Sequence, residues 1–299
     1  MAISDTQPQL VLPQGTKVLT RVGGSVGVIS HSPDAPGHNY RVRFADGREA
    51  TFKRADLSIF RHAQAEIPAS YEQADLYSCV IYRCIVGSRA YGLDQEDSDT
   101  DRRGFYLPPA ELHWSLAGVP EQLENDNEEV YWELEKFLRL ALKANPNVLE
   151  CLYSPIIEVC NEPASELIGI RNIFLSQYVH RTYNAYVLSQ FKKIEQDLRN
   201  HDRVRWKHVM HLIRLLLSGV AVLRHGFVPL RVDEYRDRLL AIRAGEVPWV
   251  EVEKWRLSLH KELDDALSAT KLPEHPDYER ANTFLLHARR LAAGPGYLR

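Results

Sequence analysis

The sequence predicts an α+β chain: a small β-barrel, then a mixed core of sheet and helices, then a C-terminal helical bundle. Three observations predict it. Short apolar runs separated by turn residues fill the N-terminal segment. β-branched apolar runs then alternate with helically spaced ones. From residue 162 onward the periodicity is helical throughout. The expected domains are 1–65, 72–160 and 161–299. A length of 299 residues and 44% apolar content suffice for a large buried core. A formal net charge of −3 excludes a uniformly basic nucleic-acid coat but leaves room for a local basic groove.

In the first segment, strands are expected at 17–22, 25–30, 40–44 and 48–52. Gly23-Gly24, the Pro/Gly-rich stretch 31–38 and Asp46-Gly47 separate them. Four or five short strands in so little chain resemble SH3-like, Tudor or KOW modules. Lys17, Arg21, Arg41, Arg43, Arg48, Lys53 and Arg54 make the segment basic. Arg41 and Arg43 share a strand face, and with Lys53 they are its candidate nucleic-acid-binding residues. A merely solubilising strand surface accounts for the same pattern.

Segment 74–86 starts helically and ends in a β-branched run, and 87–97 is punctuated by glycine. A strand over 99–107 stops at Pro108-Pro109, and another is expected over 128–132. Helical spacing over 134–143 ends at Asn145-Pro146, because proline disfavours helix at the residue before it. Four more helices are expected at 173–198, 206–224, 250–268 and 275–291, the second capped by Gly226. No apolar run approaches 18 residues, so no membrane-spanning helix is expected. The polar N-terminus does not read as a secretory signal. Cys79, Cys84, Cys151 and Cys160 have no metal-binding spacing, which points to buried, reduced thiols in a cytoplasmic protein.

The chemistry concentrates in Val86-Gly87-Ser88-Arg89-Ala90-Tyr91-Gly92 and the nearby Asp97-Ser98-Asp99-Thr100-Asp101-Arg102-Arg103-Gly104. A Gly-Ser turn leaving an apolar strand can offer amides and a hydroxyl to a phosphate. Asp99 and Asp101, two apart on a predicted strand, share a face, and two such carboxylates repel unless a cation lies between them. Magnesium takes hard oxygen ligands and commonly joins carboxylates to substrate phosphates.

This wording resembles the DNA polymerase beta nucleotidyltransferase superfamily, and within it a bacterial branch of predicted nucleotidyltransferases associated with RNA repair. The resemblance implies a polymerase-beta-type core. It implies Asp99 and Asp101 as catalytic metal ligands for Mg2+ or Mn2+, and Gly87, Ser88 and Arg89 as nucleotide-binding. It also implies a third carboxylate. Glu133, between Trp132 and Leu134, is the preferred candidate, and Glu129 is the weaker one. Ala144-Asn145-Pro146-Asn147-Val148-Leu149-Glu150 and Lys207-His208-Val209-Met210-His211-Leu212-Ile213-Arg214-Leu215 match further segments of the branch. The first is expected to cap a helix and start the next. In the second, Lys207, His211 and Arg214 share a helix face, which Ser218 extends, and they are expected to bind the nucleotide. Tyr183, Tyr186 and Gln190 read as helix packing, and Arg243 with Glu246 as a salt bridge.

The function expected is metal-dependent transfer of a nucleoside monophosphate from an NTP to an acceptor hydroxyl, an RNA 3' end by preference. A protein or small-molecule hydroxyl is the alternative acceptor. A catalytically inactive nucleic-acid-binding adaptor is the non-enzymatic alternative.

Overall fold

The structure, a computed structural model, describes residues 11–21, 25–35, 37–44, 46–59, 75–96, 98–125, 128–201 and 204–294. It divides into two compact units, Met1–Ile67 and Pro68–Arg299.

The first unit is one antiparallel sheet of β1 (Lys17–Thr20), β2 (Val26–His31), β3 (Tyr40–Phe44), β4 (Glu49–Phe52) and β5 (Leu57–Ile59), in the order β4-β3-β2-β1-β5. Val18, Ile29, Tyr40, Val42 and Leu57 alternate onto its buried face, where the Tyr40 hydroxyl accepts from the Leu12 amide at 3.1 Å. The expected barrel closure is absent: among the described residues β4 and β5 stay at opposite edges. β4 has no fully buried side chain, and its Phe52 is only partly buried against the cluster beside Phe44. Arg43 and Arg41 both reach Glu49, at 2.9 and 4.0 Å, and Lys53 is exposed.

The second unit is built on a mixed sheet in the order β10-β6-β7-β9-β8. Its strands are β6 (Val80–Ile85), β7 (Arg102–Tyr106), β8 (Gln122–Glu124), β9 (Glu129–Glu133) and β10 (Ile157–Cys160). β7 and β9 run parallel, with Arg102 opposite Glu129, and the other pairs are antiparallel. Gly104 permits the close approach of β6 and β7, since a Cβ there would overlap the Tyr82 carbonyl. The sheet is covered on both sides. Phe105 and Trp132 pack into the large core shared with the helices, whereas Tyr106 and Tyr131 join a smaller cluster with Leu76, Cys79 and Leu123. This alternation fixes which face each site residue takes.

The helices are α1 (Gly87–Tyr91), α2 (Ala110–Trp114), α3 (Leu134–Ala141), α4 (Pro146–Tyr153), α5 (Glu162–Gly169), α6 (Tyr178–His201), α7 (Trp206–His225), α8 (Arg236–Ala244), α9 (Trp249–Ala269) and α10 (Tyr278–Ala292). One core runs from Ile81 to Ala292, so sheet and bundle share their interior. Asn145 caps α4 as its motif predicts, its side-chain oxygen accepting from the amides of Asn147 (3.0 Å) and Val148 (3.4 Å). Its amide also donates to the Tyr186 hydroxyl at 2.7 Å, tying the α3–α4 turn to α6. The helix expected from 173 starts later, because 171–174 forms a 3-10 turn. α7 is, against expectation, long and apolar enough to span a membrane, with a mean hydropathy of 1.3. Of that stretch 67% is buried within the unit, as befits a central core helix. Cys79, Cys84 and Cys151 are buried, Cys160 is exposed, and all four are free thiols.

Candidate active site

β6 ends at Ile85, and the chain turns at Gly87 into the single-turn helix α1, which Gly92 closes in the left-handed conformation (φ 71°). Gly87 itself has φ +70°, and a Cβ there would overlap the Asp101 Oδ2 atom. Glycine is therefore required twice over: for the backbone conformation, and to leave the Asp101 carboxylate uncovered.

The strand expected from 99 begins at Arg102, so Asp99 and Asp101 lie in its approach rather than on it. Asp101 nevertheless keeps strand register, its carbonyl accepting from the Val86 amide at 3.0 Å. Its side chain faces Arg103, with Nη2 at 3.4 Å from Oδ1. Arg89 lines no part of the cavity. It pins the approach segment, donating to the Ser98 carbonyl at 2.8 Å and the Asp99 carbonyl at 3.4 Å. Asp97 lies outside the described residues.

Gly87, Ser88, Asp99 and Asp101 open onto a cavity of about 710 Å³. Glu124 and Glu129 of the sheet and Glu128 just before β9 also line it, and Lys207, His211 and Arg243 line it from α7 and α8. Acids thus predominate on the sheet side, with Arg103 among them, while Lys207 and Arg243 stand on the helical side and Glu150 of α4 also lines the cavity. Asp99 and Asp101 offer the hard oxygen donors that magnesium prefers, and the missing Cβ of Gly87 keeps one carboxylate accessible. Among the described residues, no group of three or more His, Cys, Asp or Glu is placed to hold a metal alone. Two carboxylates supplemented by substrate phosphates match the usual magnesium arrangement.

Glu133 is not brought to this cavity. Strand alternation sets it, with Glu129 and Tyr131, on the face away from Phe105 and Asp101. There it caps α3, accepting from the Glu135 amide at 2.8 Å, and pairs with Arg289 of α10 at 2.5 Å. Glu129 meets the cavity at the end of β9, but its carboxylate is held by Asn125 (3.0 Å) and the Tyr131 hydroxyl (3.1 Å), with Arg102 at 3.9 Å. The residue one step before the Arg102–Glu129 pair is Asp101 on one strand and Glu128 on the other. Glu128 is exposed and held at φ 59°, and its carbonyl accepts from Arg103, the same guanidinium that faces Asp101.

Arg214 likewise departs from the predicted stripe. Its Nη1 donates to Glu150 Oε1 at 2.6 Å, its guanidinium lies 3.8 Å from the Tyr91 ring centre, and the Tyr91 hydroxyl donates to Glu150 Oε2 at 2.5 Å. Burial alone would push the Arg214 guanidinium down, but Glu150 and Tyr91 hold it above its ordinary value. The cation of α8, Arg243, occupies the cavity instead, where the sequence suggested a simple salt bridge.

The sequence model of the RNA repair pathway DNA polymerase beta family (RlaP) matches residues 60–287. The chain belongs to this family. The uncharacterized protein YcgL of Bacillus subtilis (strain 168) is 27% identical over 154 residues, which cover 50% of this chain and 58% of that protein. No solved structure matches. The RlaP match contains every residue lining the cavity and leaves the N-terminal sheet outside it.

In this RlaP chain His211 is neutral. Burial first, then the charges of Arg214 and Lys207, push its imidazole down from 6.5 to about 3. Between those values the unfolded chain binds a proton that the folded one does not, so His211 costs stability as pH falls below 6.5. His211→Gln is therefore expected to lose less stability than wild type between pH ~7.5 and ~5, measured as urea midpoints. Parallel pH profiles for the two proteins would refute a neutral His211.

Proposed function

We propose that this protein transfers a nucleoside monophosphate from a magnesium-bound NTP to an acceptor hydroxyl, with an RNA 3' end as the acceptor. The observation that carries the reading is one cavity lined by Asp99, Asp101 and the open Gly87 turn together with the cations Arg103, Lys207 and Arg243. The family, assigned to RNA repair, supports the choice of RNA. Asp99 and Asp101 would hold the metal, which when bound polarises the transferred phosphoryl group and offsets charge on the leaving pyrophosphate. Ser88 donates its hydroxyl to a phosphate oxygen. Lys207 and Arg243 neutralise the triphosphate from the helical wall. Neutral His211 adds a hydrogen-bonding partner without adding charge.

The attacking hydroxyl must give up a proton. Glu133 is committed to Arg289 and Glu129 to its own three partners, so Glu128, which lines the same cavity as Asp101, is assigned that proton. Glu128→Gln is expected to lower turnover by about 10²–10⁴-fold, the usual worth of a general base. Glu133→Gln should retain turnover and lose stability. The reverse pattern, with activity lost at Glu133 alone, would return the role to that residue.

The assay is incubation with each labelled NTP and Mg2+ or Mn2+ against tRNA, short RNA oligonucleotides and total protein. Label entering RNA supports the reading, whereas label entering protein alone moves the acceptor to a protein hydroxyl. Binding without transfer is the second reading. It predicts NTP binding that is indifferent to magnesium and no incorporation.

A further inference from the structure

We infer that Arg103 is a positioning residue of the active cavity, one guanidinium that both balances the Asp101 carboxylate and sets the backbone of Glu128. The inference rests on the reading of Asp99 and Asp101 as metal ligands and of Glu128 as the base. Asp101 and Arg103 stand two apart where β7 begins, so they share a face, and both line the cavity. Arg103 Nη2 lies 3.4 Å from Asp101 Oδ1, whereas Asp101 Oδ2 lies against Gly87. Nη1 of the same guanidinium donates to the Arg102 carbonyl at 2.9 Å and to the Glu128 carbonyl. Arginine suits this place because its planar fork reaches a carboxylate and two carbonyls at once, which an ammonium group does not.

Two observations set this contact apart from an ordinary tie between strand and loop. The first is backbone strain. Glu128 is held at φ 59°, a left-handed conformation that residues other than glycine rarely adopt. Such a conformation persists only where the surroundings impose it, and the Arg103 bond to the Glu128 carbonyl is a contact that helps do so. The second is charge. The side chains of Asp101 and Arg103 are 30% and 24% exposed, so their ion pair opens onto the cavity rather than being sealed in the core. The guanidinium therefore balances Asp101 in the metal-free protein, and by like-charge repulsion it weakens the hold of the same carboxylate on a divalent cation.

The test is Mn2+ binding to the full chain, followed by the paramagnetic resonance signal of the free ion, with turnover measured in parallel. Wild type is compared with Arg103→Met and Arg103→Lys. Arg103→Met should tighten Mn2+ binding roughly two- to tenfold, because a partly solvated like charge is removed. Its turnover should fall about ten- to a hundredfold as Glu128 loses its anchor, with the KM for NTP staying within about twofold. Arg103→Lys keeps the charge and loses the fork, so Mn2+ affinity should stay near wild type while turnover stays low. A merely structural arginine would not tighten metal binding when removed. Unchanged or weaker Mn2+ binding in Arg103→Met, or a loss expressed only in the KM for NTP, overturns the proposal. Should the methionine variant fail to fold, wild-type turnover in Arg103→Lys overturns it. Absence of Mn2+ binding by wild type ends the reading of Asp99 and Asp101 as ligands, and this proposal with it.

Discussion

On the proposed reading, Asp101→Ala and Asp99→Ala should each lower nucleotide incorporation by at least about a thousandfold, because each removes charge from the place where the metal and the transferred phosphoryl group would meet. Neither change should unfold the protein. Asp99 is exposed, and the Asp101 carboxylate, 30% exposed, makes a partly solvated ion pair with Arg103 at 3.4 Å. Such pairs contribute about 0–1 kcal/mol. The bond that anchors the strand approach runs from the Val86 amide to the Asp101 carbonyl and survives any side-chain change. Melting temperatures close to wild type, together with lost incorporation and lost magnesium dependence of NTP binding, are the expected results. Full activity in either variant would end the enzymatic reading.

Arg214→Met is expected to destabilise the protein by about 3–5 kcal/mol, the range for breaking a buried ion pair by removing one partner. Glu150 would remain almost wholly buried, retaining the Tyr91 hydroxyl but no cation. Replacing Glu150 by Leu in the same chain should recover most of the loss, since buried pairs exchange for apolar groups at little net cost. Urea unfolding of the single and double variants measures both quantities. A single variant no less stable than a surface substitution would mean that Glu150 finds water or another donor. Because Tyr91 belongs to α1, the same variants bear on the Gly87 turn: NTP affinity should fall with Arg214→Met even though Arg214 lies outside the active cavity.

Much of the fold is visible in one dimension because its determinants are local. Asn145-Pro146 ends one helix and caps the next through bonds spanning two and three residues. Gly226 stops α7 at the expected place, in the left-handed conformation. β3 spans 40–44 as its alternation predicts. The barrel expectation failed because closure depends on whether two edge strands meet, which no strand records in its own pattern. The aspartate pair and the Gly-Ser turn were legible for a similar reason. Antiparallel pairing of β6 with β7 brings the Gly87 turn, next to the end of one strand, up against Asp101 at the start of the other.

The third carboxylate shows the limit of local context. Glu133 has apolar neighbours that suit a catalytic strand, yet period-two alternation from Phe105 and Trp132 places it on the other face, where Arg289 from the far end of the chain claims it. Arg103 was within reach of the sequence, since it stands two residues beyond Asp101 and so shares its face. Arg243 was not, because only the packing of α8 against α7 brings it to the cavity.

By itself the sequence determined the Gly87-Ser88 turn, the acidic pair, the helix caps and the course of the elements, all of which depend on residues close together along the chain. Tertiary structure alone decided which charges remain free. Burial of Arg214 against Glu150 consumed one expected cation, pairing with Arg289 consumed one expected acid, and helix packing supplied Arg243 in exchange. A charge buried without a partner is too costly to keep, so partners from distant segments, rather than sequence neighbours, assign each ionisable group to the core or to the cavity.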